Sequence, residues 1–306
     1  MNNYKPWVIK HKPKNIDDFY FHKKHVSILK KHLNGKFPNI IIHGPPGTGK
    51  STVVSLLTKE LITDIRSNCL FINASDEKGI DDIRNKMVSF CNQIPKNKDK
   101  HKMLILDEAD AITDIAQAAL RKIIEDNPTT IFCFMCNYID KIIPPLKSRC
   151  SLFLFDKIKK DETKDCIVSI LKKEDITIKD EYINFIIKYI DGDIRKLLIT
   201  FENISLIKDL NYDYIYDFLC LIPEDYIPNI LKRLNKKKLF SLSYEIVNSG
   251  ISIRKFLDSL NEYLLDKDNV PDIIFQKIAK YDYLINNDID RETIMVNLLN
   301  DLLKLK

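Results

Sequence analysis

The sequence predicts an α/β domain built on a parallel sheet and followed by two helical domains. Three observations support this prediction. Up to about residue 155, short apolar runs alternate with segments of helical spacing, which is typical of a parallel sheet with helices on both faces. A glycine-rich loop, HGPPGTGKST at 43–52, follows the first apolar run. Beyond Phe155 the strand pattern stops, and helical spacing continues to the end.

Five apolar runs are expected to form the sheet, because each shows the short pattern of a buried strand. They lie at 38–43, 69–73, 102–106, 130–136 and 151–155. The predicted domains are an α/β domain at 1–156, a helical lid subdomain at 157–217 and a C-terminal helical domain at 218–306.

The composition predicts an intracellular protein of two or three domains. Its 306 residues exceed one typical domain, and 45% hydrophobic residues suffice for substantial cores. The net charge of +5 is compatible with a local basic surface, but it does not by itself indicate a polyanionic partner. Seven cysteines without framework spacing, and no signal peptide, predict reduced thiols. No stretch approaches the roughly 20 apolar residues of a membrane span, so we expect a soluble protein without a membrane partner.

The glycine-rich loop predicts that the α/β domain binds a nucleotide. Its spacing is that of a P-loop, whose backbone N–H groups converge on phosphates and whose glycines tolerate the required backbone angles. Lys50 is expected to reach the β- and γ-phosphates, and the Ser51 hydroxyl to hold Mg²⁺. A strand before the loop and a helix after it would bring the phosphates to a helix N-terminus. The alternative is a chance glycine turn. The predicted phosphate-binding residues are Gly44, Pro45, Pro46, Gly47, Thr48, Gly49, Lys50 and Ser51.

Two further polar sites follow predicted strands. KMLILDEAD at 102–110 ends in carboxylates, which fits the acidic motif of P-loop enzymes. Asp107 would act on Mg²⁺, and Glu108 would orient or deprotonate the attacking water. Asn137 ends the next strand, where a neutral amide could hold that water beside the γ-phosphate. The alternatives are an acidic cluster that solvates a strand end, and an ordinary turn asparagine.

Four more segments allow the family to be identified. They are INASDEKGIDDIR at 72–84, AQAALRKIIED at 116–126, PPLKSRC at 144–150 and DGDIRKLL at 191–198. Together with the two motifs above, they resemble the small subunits of replication factor C, the eukaryotic and archaeal sliding-clamp loader of the AAA+ class. The resemblance covers about residues 5 to 200, and the Ser-Arg-Cys triplet makes it highly specific.

The opening segment PWVIKHKPKNIDDF resembles the part of the family that lies over the adenine. On this resemblance, Val8 and Pro13 are candidates for the base pocket. The segment departs from the family pattern at three positions. Ile9 stands where an acid is common, His11 replaces an aromatic residue and Lys12 replaces an arginine.

The resemblance also implies roles for two arginines. Arg149 would act as an arginine finger on the γ-phosphate of a neighbouring subunit in a ring, and Arg195 would be the lid arginine that senses the γ-phosphate of its own subunit. A surface arginine and a structural salt bridge are the respective alternatives. Gly192 would end one lid helix, and Asp193 would cap the next. The predicted catalytic residues are therefore Lys50, Asp107, Glu108, Asn137, Arg149 and Arg195.

The resemblance implies the cofactors ATP and Mg²⁺ and three kinds of partner. These are other loader subunits in a hetero-oligomeric ring (a pentamer), a sliding clamp, and primer–template DNA bound without regard to sequence. Lys78, Arg84 and Lys86 are the candidate DNA phosphate contacts, with a solvated helix face as the alternative. The C-terminal helical domain would form the oligomerisation collar. Such a subunit works in the nucleus or at a cytoplasmic replication site.

The predicted function is that of an ATP-dependent clamp-loader small subunit, active as an ATPase within its complex. Two alternatives stay open. Another AAA+ DNA motor, such as a branch-migration helicase, would need a C-terminal winged-helix domain, which the helical spacing of 218–306 does not favour. A non-hydrolysing structural subunit would contribute only its arginine finger, although Lys50, Asp107 and Glu108 are all present.

Overall fold

The computed structural model describes residues 4–76, 80–94, 101–267, 270–285 and 290–304, and only the backbone of 80–82. The chain divides into two compact units, Met1–Lys208 and Asp209–Lys306. The first unit contains a parallel sheet and the helices around it. The second is helical throughout its described residues.

The sheet has five strands in the order β2-β3-β4-β1-β5, and every pairing is parallel. The strands are β1 Ile40–His43, β2 Cys69–Asn73, β3 Lys102–Asp107, β4 Thr130–Cys136 and β5 Ser151–Leu154. All five predicted strands are confirmed. The first begins two residues late, because Pro38 has no N–H and the Asn39 side chain accepts a hydrogen bond from the Phe132 amide at 3.0 Å.

Helices surround this sheet in the first unit. They are α1 Trp7–Lys10, α2 Lys23–Leu33, α3 Lys50–Leu61, α4 Ile65–Asn68, α5 Ile80–Cys91, α6 Asp114–Asp126, α7 Pro144–Lys147, α8 Lys160–Lys173, α9 Asp180–Ile190 and α10 Ile194–Ile204. The strands bury both faces: Ile40 and Ile42 belong to one core with α3, and Ile41 belongs to a second core with α5 and α6. Burying each such side chain contributes about 1.5–3 kcal/mol.

Helices α8 to α10 form the predicted lid segment, and a tight turn joins the last two. Helix α9 ends at Ile190, and its C-cap is Asp191, whose backbone is left-handed. Gly192 is the residue after the C-cap, with φ +87° and no room for a side chain, because a Cβ would lie 3.0 Å from the Ile158 nitrogen. The Asp193 carboxylate accepts a hydrogen bond from the Lys196 amide at 2.9 Å and caps α10 as predicted.

The second unit consists of short helices around one apolar core. They are α11 Tyr212–Phe218, α12 Tyr226–Arg233, α13 Leu239–Asn248, α14 Ile253–Leu265, α15 Asp272–Ile285 and α16 Arg291–Lys304. Phe256, Leu260 and Leu298 lie at the centre of this core. None of the helices within the described ranges has the length and apolar character that crossing a membrane requires. The division into lid and collar stays a prediction.

Candidate nucleotide-binding site

The loop between β1 and α3 needs glycine for two reasons. Gly44 and Gly47 have φ +141° and +72°, a region that other residues rarely adopt. Their neighbours also leave no space, since an added Cβ would lie 2.0 Å from the Phe155 carbonyl oxygen at Gly44 and 1.9 Å from Asp193 Oδ1 at Gly47. The loop is therefore packed closely against both β5 and the lid.

Lys50, the first residue of α3, is a buried cation held by neutral groups. Its side chain is 8% exposed. Nζ donates to the carbonyl oxygens of Gly44 at 2.6 Å and Pro45 at 2.8 Å, and to Asn137 Oδ1 at 2.9 Å. Burial lowers the pKa of Lys50. These three acceptors are neutral, although Asp107 and Asp110 are near enough to attract the ammonium electrostatically. A phosphate at this loop would give the ammonium a directly bonded anionic partner.

The end of β3 presents the acidic pair of the site. Burial raises the pKa of Asp107, whose Oδ2 lies 3.5 Å from Ser51 Oγ. Glu108 is left-handed at φ 54°, and its amide donates to Asp107 Oδ1 at 2.9 Å. The Glu108 carboxylate accepts a hydrogen bond from the Ser75 hydroxyl. The sequence analysis did not identify Ser75 as a site residue, because its hydroxyl reaches Glu108 across the sheet edge rather than along the chain.

Asn137 is held at the end of β4 by a second acid. The amides of Asn137 and Tyr138 donate to Asp110 Oδ2 at 3.3 and 3.0 Å. This contact fixes the turn after β4, and the Asn137 side chain then meets Lys50. Asp110 is therefore a supporting residue that the sequence analysis missed, although it lies within the acidic motif.

One cleft brings these groups together with the N-terminal segment and the lid. Its volume is about 1040 Å³. Val8 and Pro13 line it, as do Lys50, Asp107 and Arg195. The lid contacts the glycine-rich loop directly, because the Ile194 amide donates to the Gly47 carbonyl at 3.2 Å.

The donor groups of the cleft fit a nucleotide and a magnesium ion. The buried Lys50 ammonium suits a phosphate chain, and the oxygens of Ser51 and Asp107 are the hard ligands that Mg²⁺ prefers. No cluster of three acidic, histidine or cysteine side chains that could hold a metal occurs in the part of the chain that the structure describes. A magnesium ion here would therefore share its coordination between these two residues, water and phosphate oxygens.

Arg149 lies outside this cleft, after helix α7. Its Nε and Nη2 donate to Glu125 Oε1 on α6 at 2.8 and 2.5 Å, and its Nη1 donates to the Pro145 carbonyl at 2.7 Å. The guanidinium is thus fixed on two sides and still 31% exposed. Arg149 does not line the cleft of its own chain, and its role as an arginine finger stays a prediction.

Two of the predicted DNA contacts lie exposed on α5, namely Arg84 and Lys86. Lys78 lies outside the described residues.

The end of α5 is fixed by Lys102, a buried residue that the sequence analysis missed. Lys102 is 1% exposed, and its Nζ donates to the carbonyls of Phe90 at 2.6 Å, Cys91 at 2.7 Å and Gln93.

The P-loop follows β1, the acidic pair ends β3, and β4 lies between these two strands of a five-stranded parallel sheet. Together with the helices that contact the loop, this arrangement defines a P-loop ATPase of the AAA+ class. Residues 40–157 match the family model described as "ATPase family associated with various cellular activities (AAA)". The solved structure of a point variant of Thermotoga maritima RuvB has a TM-score of 0.54 and 18% identity, covering 83% of this chain and 90% of that one. That likeness shows the fold alone.

Curated relatives narrow the class to one family. Replication factor C subunit 4 of Homo sapiens is 32% identical over 96% of this chain and 86% of its own length. The replication factor C small subunit of Picrophilus torridus is 37% identical, covering 85% of this chain and 78% of its own length. The chain therefore belongs to the replication factor C family of clamp-loader small subunits. Its matches to several distinct subunits imply a hetero-oligomeric loader.

Proposed function

We propose that this chain binds ATP with Mg²⁺ and hydrolyses it to help open a sliding clamp and load it on primer–template DNA. The observation that carries the proposal is the buried Lys50 ammonium, held by neutral acceptors beside Asp107 and Asn137. Membership of the replication factor C family supplies the biological setting.

In this proposal each polar group of the cleft has one task. Lys50 binds the β- and γ-phosphates, and Ser51 and Asp107 hold Mg²⁺, which when bound neutralises phosphate charge. Asn137 orients the attacking water, and Glu108 accepts its proton. Arg195 reads the γ-phosphate from the lid.

The proposal requires neighbours, because Arg149 does not line the cleft of its own chain. Arg149 would complete the active site of the adjacent subunit in a hetero-oligomeric ring of five. Lys78, Arg84 and Lys86 would contact DNA phosphates without reading bases, as expected for a loader that acts at any primer end. Val8 and Pro13 would contact the base.

The experiment measures ATP binding and hydrolysis by the chain co-purified with its partner subunits, with and without clamp and primed DNA. Lys50→Ala should abolish tight ATP binding, because the phosphate charge loses its buried partner. Glu108→Gln should keep ATP bound and lower turnover by about 10²–10⁴-fold, the usual contribution of a general base.

Three results would each contradict a part of the assignment. Nucleotide affinity that stays within about threefold in Lys50→Ala, below ~1 kcal/mol, would mean that the loop does not bind phosphates. An active Glu108→Gln variant would remove Glu108 from the general-base role. A complex with neither clamp- nor DNA-stimulated hydrolysis would favour a non-hydrolysing structural subunit.

A further inference from the structure

The N-terminal segment is joined to the lid by two carboxylates. Glu174, immediately after α8, accepts a hydrogen bond from Lys10 Nζ at 2.6 Å, and its other oxygen lies 2.7 Å from His11 Nε2. Glu202 on α10 accepts from the Trp7 amide at 3.1 Å and from the Tyr4 hydroxyl at 2.5 Å. We call these four contacts the clasp. They connect positions 163 to 198 residues apart in the chain.

The clasp has a shielded part and an exposed part. The side chains of His11 and Glu174 are 9% and 13% exposed, whereas Lys10 is 50% and Tyr4 is 75% exposed. Hydrogen bonds from Lys10 and His11 lower the pKa of the Glu174 carboxyl and keep it charged. Trp7, whose amide binds Glu202, is 6% exposed, and its helix α1 packs against α10. Solvent and salt therefore screen the His11–Glu174 contact less than they screen the exposed ones.

Residues on both sides of the clasp face the same cleft. The N-terminal segment contributes Val8 and Pro13, and the lid contributes Arg195. The P-loop residue Lys50, by contrast, has no bond to either clasp carboxylate. The clasp residues Lys10, His11 and Glu174 line the cleft as well. Because Lys50 bonds to none of them, loss of the clasp should change how the segment meets a nucleotide base and leave the hydrogen bonds of Lys50 as they are.

We propose that Glu174 and Glu202 are positioning residues that fasten the base-facing segment to the lid, so that segment and lid close on the nucleotide as one body. The proposal rests on the proposed function, because it takes the cleft to be the ATP site. It gives His11 a task in this chain: the imidazole binds Glu174. Holding the segment in place before binding removes an ordering cost from nucleotide association.

The test compares two ligands on the complete chain within its purified complex. ATP has a base and a triphosphate, whereas inorganic tripolyphosphate has the phosphates alone. Glu174→Gln and Glu202→Gln should each weaken ATP binding about fivefold, the scale of one ordinary hydrogen bond, and the double variant more. Tripolyphosphate affinity should not change in any of them. Calorimetric titration measures both ligands.

Glu245→Gln is the matched control. Glu245 accepts from Arg233 Nη2 at 2.6 Å in the second unit, so this change also removes one carboxylate from an ion pair. It should alter neither affinity. Equal losses for ATP and tripolyphosphate in the clasp variants, or unchanged ATP affinity in the double variant, would overturn the proposal.

The chain has a single tryptophan, and it lies in the clasp. In the complex without nucleotide, tryptophan-free partner variants would let Trp7 report the clasp directly. Its emission should shift to longer wavelength in the double variant, while the unfolding midpoint stays at that of Glu245→Gln. Emission that is unchanged in the double variant would also overturn the proposal. Lys50→Ala separates failure of the clasp proposal from failure of the proposed function. This variant should lose binding of both ATP and tripolyphosphate. If it binds both normally, the proposed function is wrong.

Discussion

The two compact units differ in what they bury. The first buries the ammonium groups of Lys50 and Lys102, at 8% and 1% exposure, although removing a charge from water costs several kcal/mol. In the second unit no described lysine or arginine is buried. Its buried polar groups are uncharged, as with Ser243, whose hydroxyl donates to the Leu239 carbonyl of its own helix at 2.9 Å, and Tyr281, whose hydroxyl donates to Asp301 at 2.9 Å. Buried charges, one of which faces the cleft, thus distinguish the first unit from the second.

One glycine in each unit shows a further difference, in how closely the surrounding residues pack against the backbone. Gly47 and Gly250 have nearly the same φ, +72° and +79°. A Cβ at Gly47 would collide with Asp193 at 1.9 Å, whereas a Cβ at Gly250 would have nothing within 4 Å. The loop glycine is required by conformation and by its neighbours, and the helix-turn glycine by conformation alone.

The largest expected effect concerns Arg149. Arg149→Ala should leave ATP binding to its own subunit nearly intact, while hydrolysis at the neighbouring site falls roughly 10³–10⁵-fold, or about 4–7 kcal/mol. Arg233→Ala is the control, because Arg233 is also paired with a glutamate but belongs to the second unit. Steady-state hydrolysis in the full complex with clamp and DNA measures both variants.

A mixing experiment sharpens this prediction. Arg149→Ala and Lys50→Ala proteins each supply what the other lacks. Where ring positions share this chain, an interface that pairs the intact loop with the intact arginine should hydrolyse ATP. Normal hydrolysis by Arg149→Ala alone would mean that Arg149 is an ordinary surface arginine and not an arginine finger.

Leu260→Ala should act on the second unit only. Leu260 is fully buried in its core, so the cavity should lower the free energy of unfolding of this unit by about 2–5 kcal/mol. Leu265, on the same helix but 65% exposed, provides the control. Denaturant unfolding measures the change. A matching loss of ATP affinity would break the comparison, since it would couple the core of the second unit to the cleft.

The glycine pair gives a smaller contrast. Gly250→Ala should lower the free energy of unfolding by about 1–2 kcal/mol, the cost of a left-handed non-glycine residue. Gly47→Ala should cost more and should also weaken nucleotide binding, because the loop must move away from Asp193. Thermal unfolding and ATP titration distinguish the two. Equal effects at both sites would mean that the lid does not confine the loop.

The smallest expected effect is at Arg84. DNA affinity of the assembled complex should fall steeply with salt and show little sequence preference. Arg84→Gln should reduce the slope of log affinity against log salt by about one, the value for one phosphate contact. Arg233→Gln in the second unit should leave the slope unchanged. If Arg84→Gln also leaves it unchanged, Arg84 belongs to a solvated helix face.

The sheet could be predicted almost to the residue, because the evidence for a strand is local. The same holds for Asp107 and Asn137, which directly follow predicted strands, and for Lys50, which ends the glycine-rich loop; all three come together at the carboxyl edge of a parallel sheet. Their roles in catalysis stay predictions.

The supporting residues could not be predicted, because their partners are distant or carry no side-chain signal. Glu174 and Glu202 meet groups more than 160 residues away in the chain. The Lys102 ammonium donates its hydrogen bonds to backbone carbonyls, which every residue possesses, so nothing in the sequence marks it as buried. In the sequence, Glu125 is indistinguishable from other exposed acids on helices. Only the fold shows that it binds Arg149, which follows α7.

Because the Ile194 amide is bonded to the Gly47 carbonyl, deuterium exchange of this one amide reports opening of the lid. As the first residue of α10, Ile194 has no acceptor within its own helix. Its amide is therefore protected from deuterium exchange only while the lid rests on the loop. The Lys196 amide, bonded to Asp193 in the same turn, travels with the lid and keeps its partner. The observed exchange rate of the Ile194 amide, divided by its intrinsic rate, gives the free energy of lid opening in solution, and the Lys196 amide is the control within the same turn.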